Sequence, residues 1–142
     1  MASNNVNVAF NEMLTMTVAA GPQALATATN LDSGTFVATK GNRRFIGLGA
    51  VSSLGAGKIL TVQLLQATAS DGTGKKALGD AATHTASGTE TLMAFAEAEE
   101  EELDTVNSFL YVGVRISHDH GSSADVASLL GVSPITQPGS NN

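Results

Sequence analysis

Stretches in which apolar and polar residues alternate recur along the chain, and this period of two is typical of β-strands. Five stretches follow the pattern well enough to predict a strand: Leu14–Ala20, Arg44–Val51, Lys58–Ala69, Glu90–Ala98 and Leu110–His118. In the last of these, the apolar residues at positions 110, 112, 114 and 116 form one face, and Tyr111, Gly113 and Arg115 lie on the other. The regular alternation predicts a sheet that is buried on one side.

Two of these strands contain breaks in their pattern. Gly21-Pro22 is expected to end the first strand, because proline has no backbone N–H to donate to a sheet. In Lys58–Ala69, Leu65 follows Leu64 directly, and this slip of phase indicates a bulge.

The strand Arg44–Val51 is apolar on one face and carries glycine on the other. Phe45 points one way, and the side chains at positions 46, 48 and 50 point the other way. Gly47 and Gly49 lie on the same side as Phe45, opposite those side chains, and predict close approach of another backbone.

The other segments are patterned more weakly and are separated by turns rich in glycine, aspartate and serine. Short strands are predicted over Ala24–Thr29, Phe36–Thr39 and Ala82–Thr85. Residues Ala124–Val132 allow two structures: a short helix capped by Ser123, or a last strand with the residues at positions 126, 128, 130 and 132 on one face.

Short strands with a turn every eight to twelve residues predict an all-β fold. We expect an antiparallel β-sandwich or barrel of six to eight short strands over residues 12–133. An extended N-terminal arm, Met1–Asn11, precedes it, and a polar C-terminal tail at 134–142 follows it. The arm is either a frayed terminus or a strap that docks through its alternating Val6, Val8 and Phe10.

Composition adds that the apolar mass consists of small side chains. Hydrophobic residues make up 42% of the 142 residues but aromatic ones only 4%, while Ala, Gly, Ser and Thr together number 64. Sheets built from such residues pack thinly, so we expect further burial between subunits. The absence of cysteine excludes disulfides and Cys-ligated metal sites.

The charge distribution argues against nucleic acid and membrane partners. The net charge is −6, and seven of the thirteen acidic residues lie between positions 90 and 104. An acidic chain without a basic cluster does not bind a phosphate backbone. No stretch reaches the length of an apolar membrane span, and the first residues do not have the pattern of a signal peptide. We therefore expect a soluble protein made in a cytoplasm.

One cluster, His118-Asp119-His120, has the residue types of a metal site. Positions two apart on a strand point the same way, so both imidazoles could reach one ion. A third ligand would have to be His84 or a histidine of another subunit. Histidine and aspartate are also ordinary where a strand runs into a turn, and we expect no metal here.

The remaining motifs do not support catalysis. The glycine-rich stretch Gly47–Lys58 has Ser52 where a phosphate-binding loop needs glycine, and Ile59 follows Lys58. The run Glu99–Glu102 is expected to be solvated, because four adjacent like charges repel in a tight site. A strand is expected to place the side chains of Arg43 and Arg44 on opposite faces. We expect no enzyme, no cofactor, and no catalytic or metal-binding residues.

The order of motifs in the second half resembles that of one group of phage proteins. A strand containing LTVQLLQ is followed by the turn Ser70-Asp71-Gly72, then by the acidic Glu102-Leu103-Asp104 and the strand Phe109–Ser117, FLYVGVRIS. This order is similar to that of small head decoration, or cement, proteins of tailed bacteriophages, over about Arg43–Val132. The terminus SLLGVSPITQP departs from the last strand expected of that family, which bears Arg and Tyr.

The resemblance implies a structural virion protein that binds the outer surface of a phage capsid and clamps neighbouring capsid subunits. Its partners would be the major capsid protein and copies of itself, with a homotrimer favoured, and it would lie on the capsid surface after assembly in the host cytoplasm. Two alternatives remain: another β-rich virion component, such as a tail-tube, head–tail joining or fibre-base protein, and a carbohydrate-binding module. Only Tyr111 offers a tyrosine or tryptophan ring for sugar stacking.

Overall fold

The computed structural model describes residues 15–134. The predicted arm Met1–Asn11 and residues 135–142 of the predicted tail lie outside the described residues. In the described part of the chain the regular structure consists of nine strands and two short 3₁₀ turns. No helix in this part is long and apolar enough to cross a membrane.

The strands confirm the predicted all-β class. Their bounds are β1 Thr15–Leu25, β2 Leu31–Asp32, β3 Val37–Ala38, β4 Asn42–Leu54, β5 Ile59–Ala67, β6 Lys76–Thr85, β7 Glu90–Glu99, β8 Tyr111–His118 and β9 Ala124–Pro134. The 3₁₀ turns Glu100–Glu102 and Thr105–Asn107 lie between β7 and β8. Residues Ala124–Val132 are therefore a strand and not a helix.

Two antiparallel sheets make the sandwich. The four-stranded sheet has the order β1-β9-β4-β7, and the five-stranded sheet has the order β2-β8-β5-β6 with β3 also paired to β8. Because β2 and β3 pair with β8 at successive registers, they act as one interrupted strand. With that strand counted once, eight positions divide into two four-stranded layers, which is the jelly-roll arrangement. Of the two predicted architectures the sandwich is observed.

The core lies between the sheets and takes side chains from both. The five-stranded sheet supplies large inward side chains, including Leu60 and Ile116, which are fully buried. The four-stranded sheet supplies large side chains such as Phe45 and also small residues, among them Gly49, where an added Cβ would lie 2.5 Å from Val62 Cγ2. The glycines of β4 thus make room for side chains of the facing sheet, and not for another backbone as predicted.

Strand β1 continues past Gly21-Pro22, contrary to the prediction. It runs to Leu25 and pairs with β9 along its length, with register shifts between Val18 and Ala20 and between Ala20 and Gln23. Proline is accepted because β1 is an edge strand, where an N–H can face away from the ladder. The predicted strand Ala24–Thr29 is therefore wrong, since the chain turns directly after Leu25.

The bulge predicted at Leu64 and Leu65 is not on β5 but on the neighbouring strand β6. The ladder between β5 and β8 is unbroken from Leu60 to Ala67, while the pairing of β5 with β6 shifts between Val62 and Leu64. The extra residues of this irregularity lie on β6, around Gly79 with its positive φ of 69°. Leu65 is buried on the outer side of the sheet and Leu64 on the inner side, so both faces of β5 are apolar here.

Several strands are longer than the pattern predicts. Strand β4 extends through Leu54, three residues beyond its predicted end at Val51, and so includes Ser52. Strand β6 covers ten residues where only Ala82–Thr85 is predicted, because its mostly polar, exposed residues carry little alternation. Pairing with an ordered neighbour extends these strands beyond their own hydrophobic signal.

Candidate interaction surface

The side chains of the cluster His118-Asp119-His120 form hydrogen bonds with backbone groups of the protein. His118 lies in the core at 3% exposure, and its Nε2 is 2.8 Å from the carbonyl oxygen of Leu25. Its Nδ1 accepts a hydrogen bond of 3.1 Å from the backbone N–H of His120. A nitrogen that accepts carries no proton, so Nε2 is the donor to Leu25 and both ring nitrogens are used.

The neighbours of His118 have similar roles. Asp119 Oδ1 accepts a 2.6 Å hydrogen bond from the N–H of Ile59, and His120 Nδ1 accepts one of 3.2 Å from Gly55. These contacts tie the end of β8 to the turn between β4 and β5.

The structure brings two of the three histidines considered as metal ligands together. The rings of His118 and His120 have centroids 6.4 Å apart. His84 lies two strands away, across Leu60, with its Nδ1 3.0 Å from the carbonyl oxygen of Met93. Within residues 15–134 no group of three or more His, Cys, Asp or Glu is placed to hold a metal.

The acidic segment is exposed and forms one wall of a polar cleft. Its residues Glu100–Glu102 make a 3₁₀ turn, in which the Glu102 carboxylate accepts a hydrogen bond from the N–H of Glu99. The cleft has a volume of about 360 Å³ and is lined by Arg43, Arg44, Glu99, Glu100, Glu101 and Ser133. Arg43 and Arg44, whose side chains were expected on opposite faces of a strand, therefore both line this cleft. Arg44 forms an exposed 3.2 Å ion pair with Glu99.

The outer side of the five-stranded sheet is covered by the protein's own loop. Phe36, exposed by only 2%, packs with Leu65 and Ala67 and contacts Tyr111. Its ring lies over Gly113, where an added Cβ would be 2.8 Å from the ring atoms. Tyr111, the tyrosine considered for sugar stacking, is thus half-buried in this cluster.

Beside Phe36, a charged cluster continues the cover. Asp32 on β2 accepts two hydrogen bonds from Arg115, of 2.7 and 3.0 Å, and pairs with Lys75 at 2.9 Å. Burial alone would raise the pKa of the Asp32 carboxyl, but the hydrogen bonds and charges of Arg115 and Lys75 outweigh it and lower that pKa. The hydrogen bond to Asp32 raises the pKa of Arg115 in turn.

The outer side of the four-stranded sheet is different, because its apolar side chains reach the surface. Val18 is 64% exposed, Phe95 58%, Met93 56% and Met16 44%. Between these edge strands lie the half-buried outward residues of β4 and β9. We call this surface the apolar band; its members are Met16, Val18, Ile46, Leu48, Ala50, Met93, Phe95, Ala127 and Leu129.

Strand register makes the band continuous. Val18 pairs with Leu129, Leu129 with Leu48, and Leu48 with Phe95, so one apolar row crosses all four strands. Directly paired residues project on the same side of an antiparallel sheet. The rim is polar, with Arg44 and Glu99 at one end and Asp125 at the other. An apolar patch with a polar rim is the usual sign of a protein interaction site.

The sequence contains the signal for this band, although the prediction left it unassigned. Arg44–Val51 has apolar residues at successive positions, which indicates a strand with two apolar faces. Alternation does not show which of two faces is inside. The structure buries the glycine-bearing face and leaves Ile46, Leu48 and Ala50 outward.

Comparison with known proteins finds similar folds among solved structures but no match in sequence. No protein-family model matches the chain, and no curated protein matches it in sequence. Among solved structures, a chain in the structure of infectious bursal disease virus, Gx strain, is similar with a TM-score of 0.54 and 11% identity. The match covers 89% of this chain and 33% of that one.

Two further structures have the same likeness in fold. A chain of the Gt strain of infectious bursal disease virus matches with a TM-score of 0.52 and 9% identity, over 85% of this chain and 32% of that one. The CBM22-1–GH10 modules of Clostridium thermocellum xylanase 10B, complexed with xylohexaose, match with a TM-score of 0.52 and 12% identity, over 91% and 26%. The chain spans about a third or less of each of these proteins. The described residues form a β-sandwich of a kind found in virus structures and in a polysaccharide-degrading enzyme.

Proposed function

We propose that this protein is a structural component of a virion, which binds the outer surface of a phage capsid and stabilises it by clamping neighbouring subunits. The observation that carries the proposal is the apolar band, a broad surface suited to adhesion. Adhesion to a lattice needs many modest contacts repeated by symmetry and no reactive group. The partners are the capsid shell and further copies of the chain.

The use of the polar residues supports a structural role. The side chains with the chemistry of a site, His118, Asp119 and His120, hold backbone groups at one end of the sandwich. The jelly-roll topology also occurs in viral capsid proteins. Separately, the order of sequence motifs resembles that of head decoration proteins.

Capsids that lack the protein provide the direct test. Purified protein should cosediment with matching capsids and raise the temperature at which they break. Phe95→Asp, in the band, should weaken cosedimentation at least tenfold, because a charge in a desolvated contact between copies costs several kcal/mol, and copies that no longer associate lose the repeated contacts that hold them on the lattice. The control is Val106→Asp, a residue exposed by 92% outside the band. The proposal is wrong if the unaltered protein does not bind and the capsids melt at the same temperature with and without it.

A tag visible by electron microscopy separates the head from other parts of the particle. Density on the capsid surface is expected. Density only at the tail tube, the head–tail joint or the fibre base would assign the protein to one of those structures.

Carbohydrate binding is the second candidate, favoured by the exposed ring of Phe95 and by the fold shared with the xylanase modules. Sugar sites combine a ring with polar groups that bind hydroxyls. Phe95 is paired across the sheet with Leu48, and its neighbours on this face are apolar except for Glu97, two residues along β7. We therefore expect no binding on an array of plant and bacterial glycans. A hit that is lost in Phe95→Ala would replace the virion proposal.

A further inference from the structure

We propose that a second copy of this chain packs face to face on the apolar band, about a two-fold axis that runs along the strands between β9 and β4. This inference rests on the proposed adhesive function and names the partner of that surface. It differs from the trimer implied by the resemblance to decoration proteins, and the experiments below separate the two.

The row across the sheet is self-complementary under this axis. A two-fold rotation along the strand direction keeps each row at its own level and reverses the order of strands. It therefore lays Leu48 of one copy over Leu129 of the other, and Phe95 over Val18. The two most exposed members of the band would cover each other. Stacked sheets pack in this way at a separation of about 10 Å.

The charges of the face are arranged to permit this pairing. Glu97, on the edge strand β7, lies in the row of Ile46, so the axis places it over Met16 of the other copy, at the margin of the contact. Glu99 lies one row further out, at the rim. Strand β1, TMTVAAGPQAL, contains no charged residue. Arg44 on β4 comes over Ser133 of β9, its neighbour in the same row. Like charges therefore do not meet across the pair, and such contacts are what most often prevents a surface from binding itself.

The area is sufficient for a specific contact. Four strands at about 4.8 Å give a width of about 19 Å, and five outward rows at about 6.6 Å give a length of about 33 Å. Each copy would thus bury about 600 Å², and the pair about 1,200 Å², which is the lower end of specific interfaces. The apolar band occupies the three central rows, and the polar ends form the rim that such interfaces have.

The first experiment measures the mass of the full chain in solution. Light scattering and sedimentation at increasing concentration should approach twice the 14.4 kDa of one chain. Leu48→Asp should remain a monomer, and Val106→Asp should pair as the unaltered protein does. Circular dichroism and thermal melting show whether each variant is folded. A monomer at all concentrations, or a trimer, would overturn the inference.

The second experiment reports the geometry and does not depend on a destabilised variant. The chain has no cysteine, so Val18→Cys and Phe95→Cys can be prepared separately, mixed, and treated with a bismaleimide cross-linker that spans about 10 Å, the separation of stacked sheets. A direct disulfide is not expected, because it needs Cα atoms within about 7 Å of each other. The mixture should give a cross-linked mixed pair, at least tenfold more than a mixture of Val18→Cys with Val106→Cys. Equal yields would show that the apolar band does not pair specifically with the band of a second copy.

Measuring capsid binding together with pairing distinguishes a failure of this inference from a failure of the proposed function. Pairs that form without any binding to capsids would leave the inference standing and contradict the virion role. A monomeric protein that binds capsids, and loses that binding in Leu48→Asp, would assign the band to the shell and overturn the inference.

Discussion

The outer faces of the two sheets differ in whether their apolar side chains are covered. Both carry apolar side chains on the side away from the core. On the five-stranded sheet the loop that contains Phe36 folds over Leu65 and Ala67, and Asp32 links β2 to Arg115. On the four-stranded sheet Val18 and Phe95 are left uncovered. One face is covered within the chain, and the other is left open by the described residues.

Phenylalanine occurs on both faces and gives the most direct measure of the difference. Phe36→Ala should lower the free energy of unfolding by about 3 kcal/mol or more, because a large buried ring leaves a cavity. Phe95→Ala should change it by less than about 0.5 kcal/mol in dilute, monomeric protein, because the ring is largely in water. Denaturant unfolding measures both values. Equal losses would show that the band is part of the chain's own core.

The inner side of the four-stranded sheet predicts the next largest effect. Gly49→Ala should cost about 1–3 kcal/mol, because the new methyl group would meet Val62 and Ile116 well inside contact distance. Gly121→Ala, in a turn with no atom within 4 Å of the added carbon, is the matched control and should be nearly neutral. A neutral Gly49→Ala would mean that the sheets can separate without loss. Thermal and denaturant unfolding of both variants decide this.

Acid should loosen the covered face. Because the pKa of Asp32 is lower in the folded chain than in the unfolded one, its contribution is complete above about pH 4 and is lost as pH falls through the folded value. Asp32→Asn should therefore be about 1–2 kcal/mol less stable than the unaltered protein at pH 7, and the gap should close towards pH 2. Urea unfolding across this range measures it. A gap that does not change with pH would contradict the charged contact.

The exposed ion pair at the rim predicts the smallest effect. Arg44→Ala should cost about 0.5 kcal/mol or less, because both partners of the Arg44–Glu99 pair are half in water. Arg115→Ala should cost more, since its partner Asp32 is mostly buried. Comparing the two variants in low and high salt is the measurement. A larger loss for Arg44 would mean that the rim, and not the covered face, is stabilised by charge.

The sequence predicts the most regular strands, but it does not show which face of a strand is buried. Strand β8 follows its prediction because Val112, Val114 and Ile116 are all large and all inward, so burial and alternation coincide. Strand β4 does not yield its orientation, because either of its faces could be the inner one. Which one is inside depends on Val62 and Ile116 in the other sheet, and a local pattern does not contain that information.

The candidate site shows the same limit. The spacing of His118 and His120 does bring the rings near each other, as predicted. Their hydrogen bonds to Leu25 and Gly55 come from segments far away in sequence, and these contacts make the pair structural. The apolar band needs four strands in register before it exists at all. Its members are scattered from Met16 to Leu129, and only the order β1-β9-β4-β7 assembles them.

The broken register of β1 has a consequence for how copies of this protein can meet. A regular outer strand offers a template to which another chain can add, and such growth has no natural end. Here Pro22 and the two register shifts interrupt that template beside the apolar band. Open-ended growth by strand addition is therefore discouraged at this margin, whereas the face-to-face pair that we propose would stop after one partner.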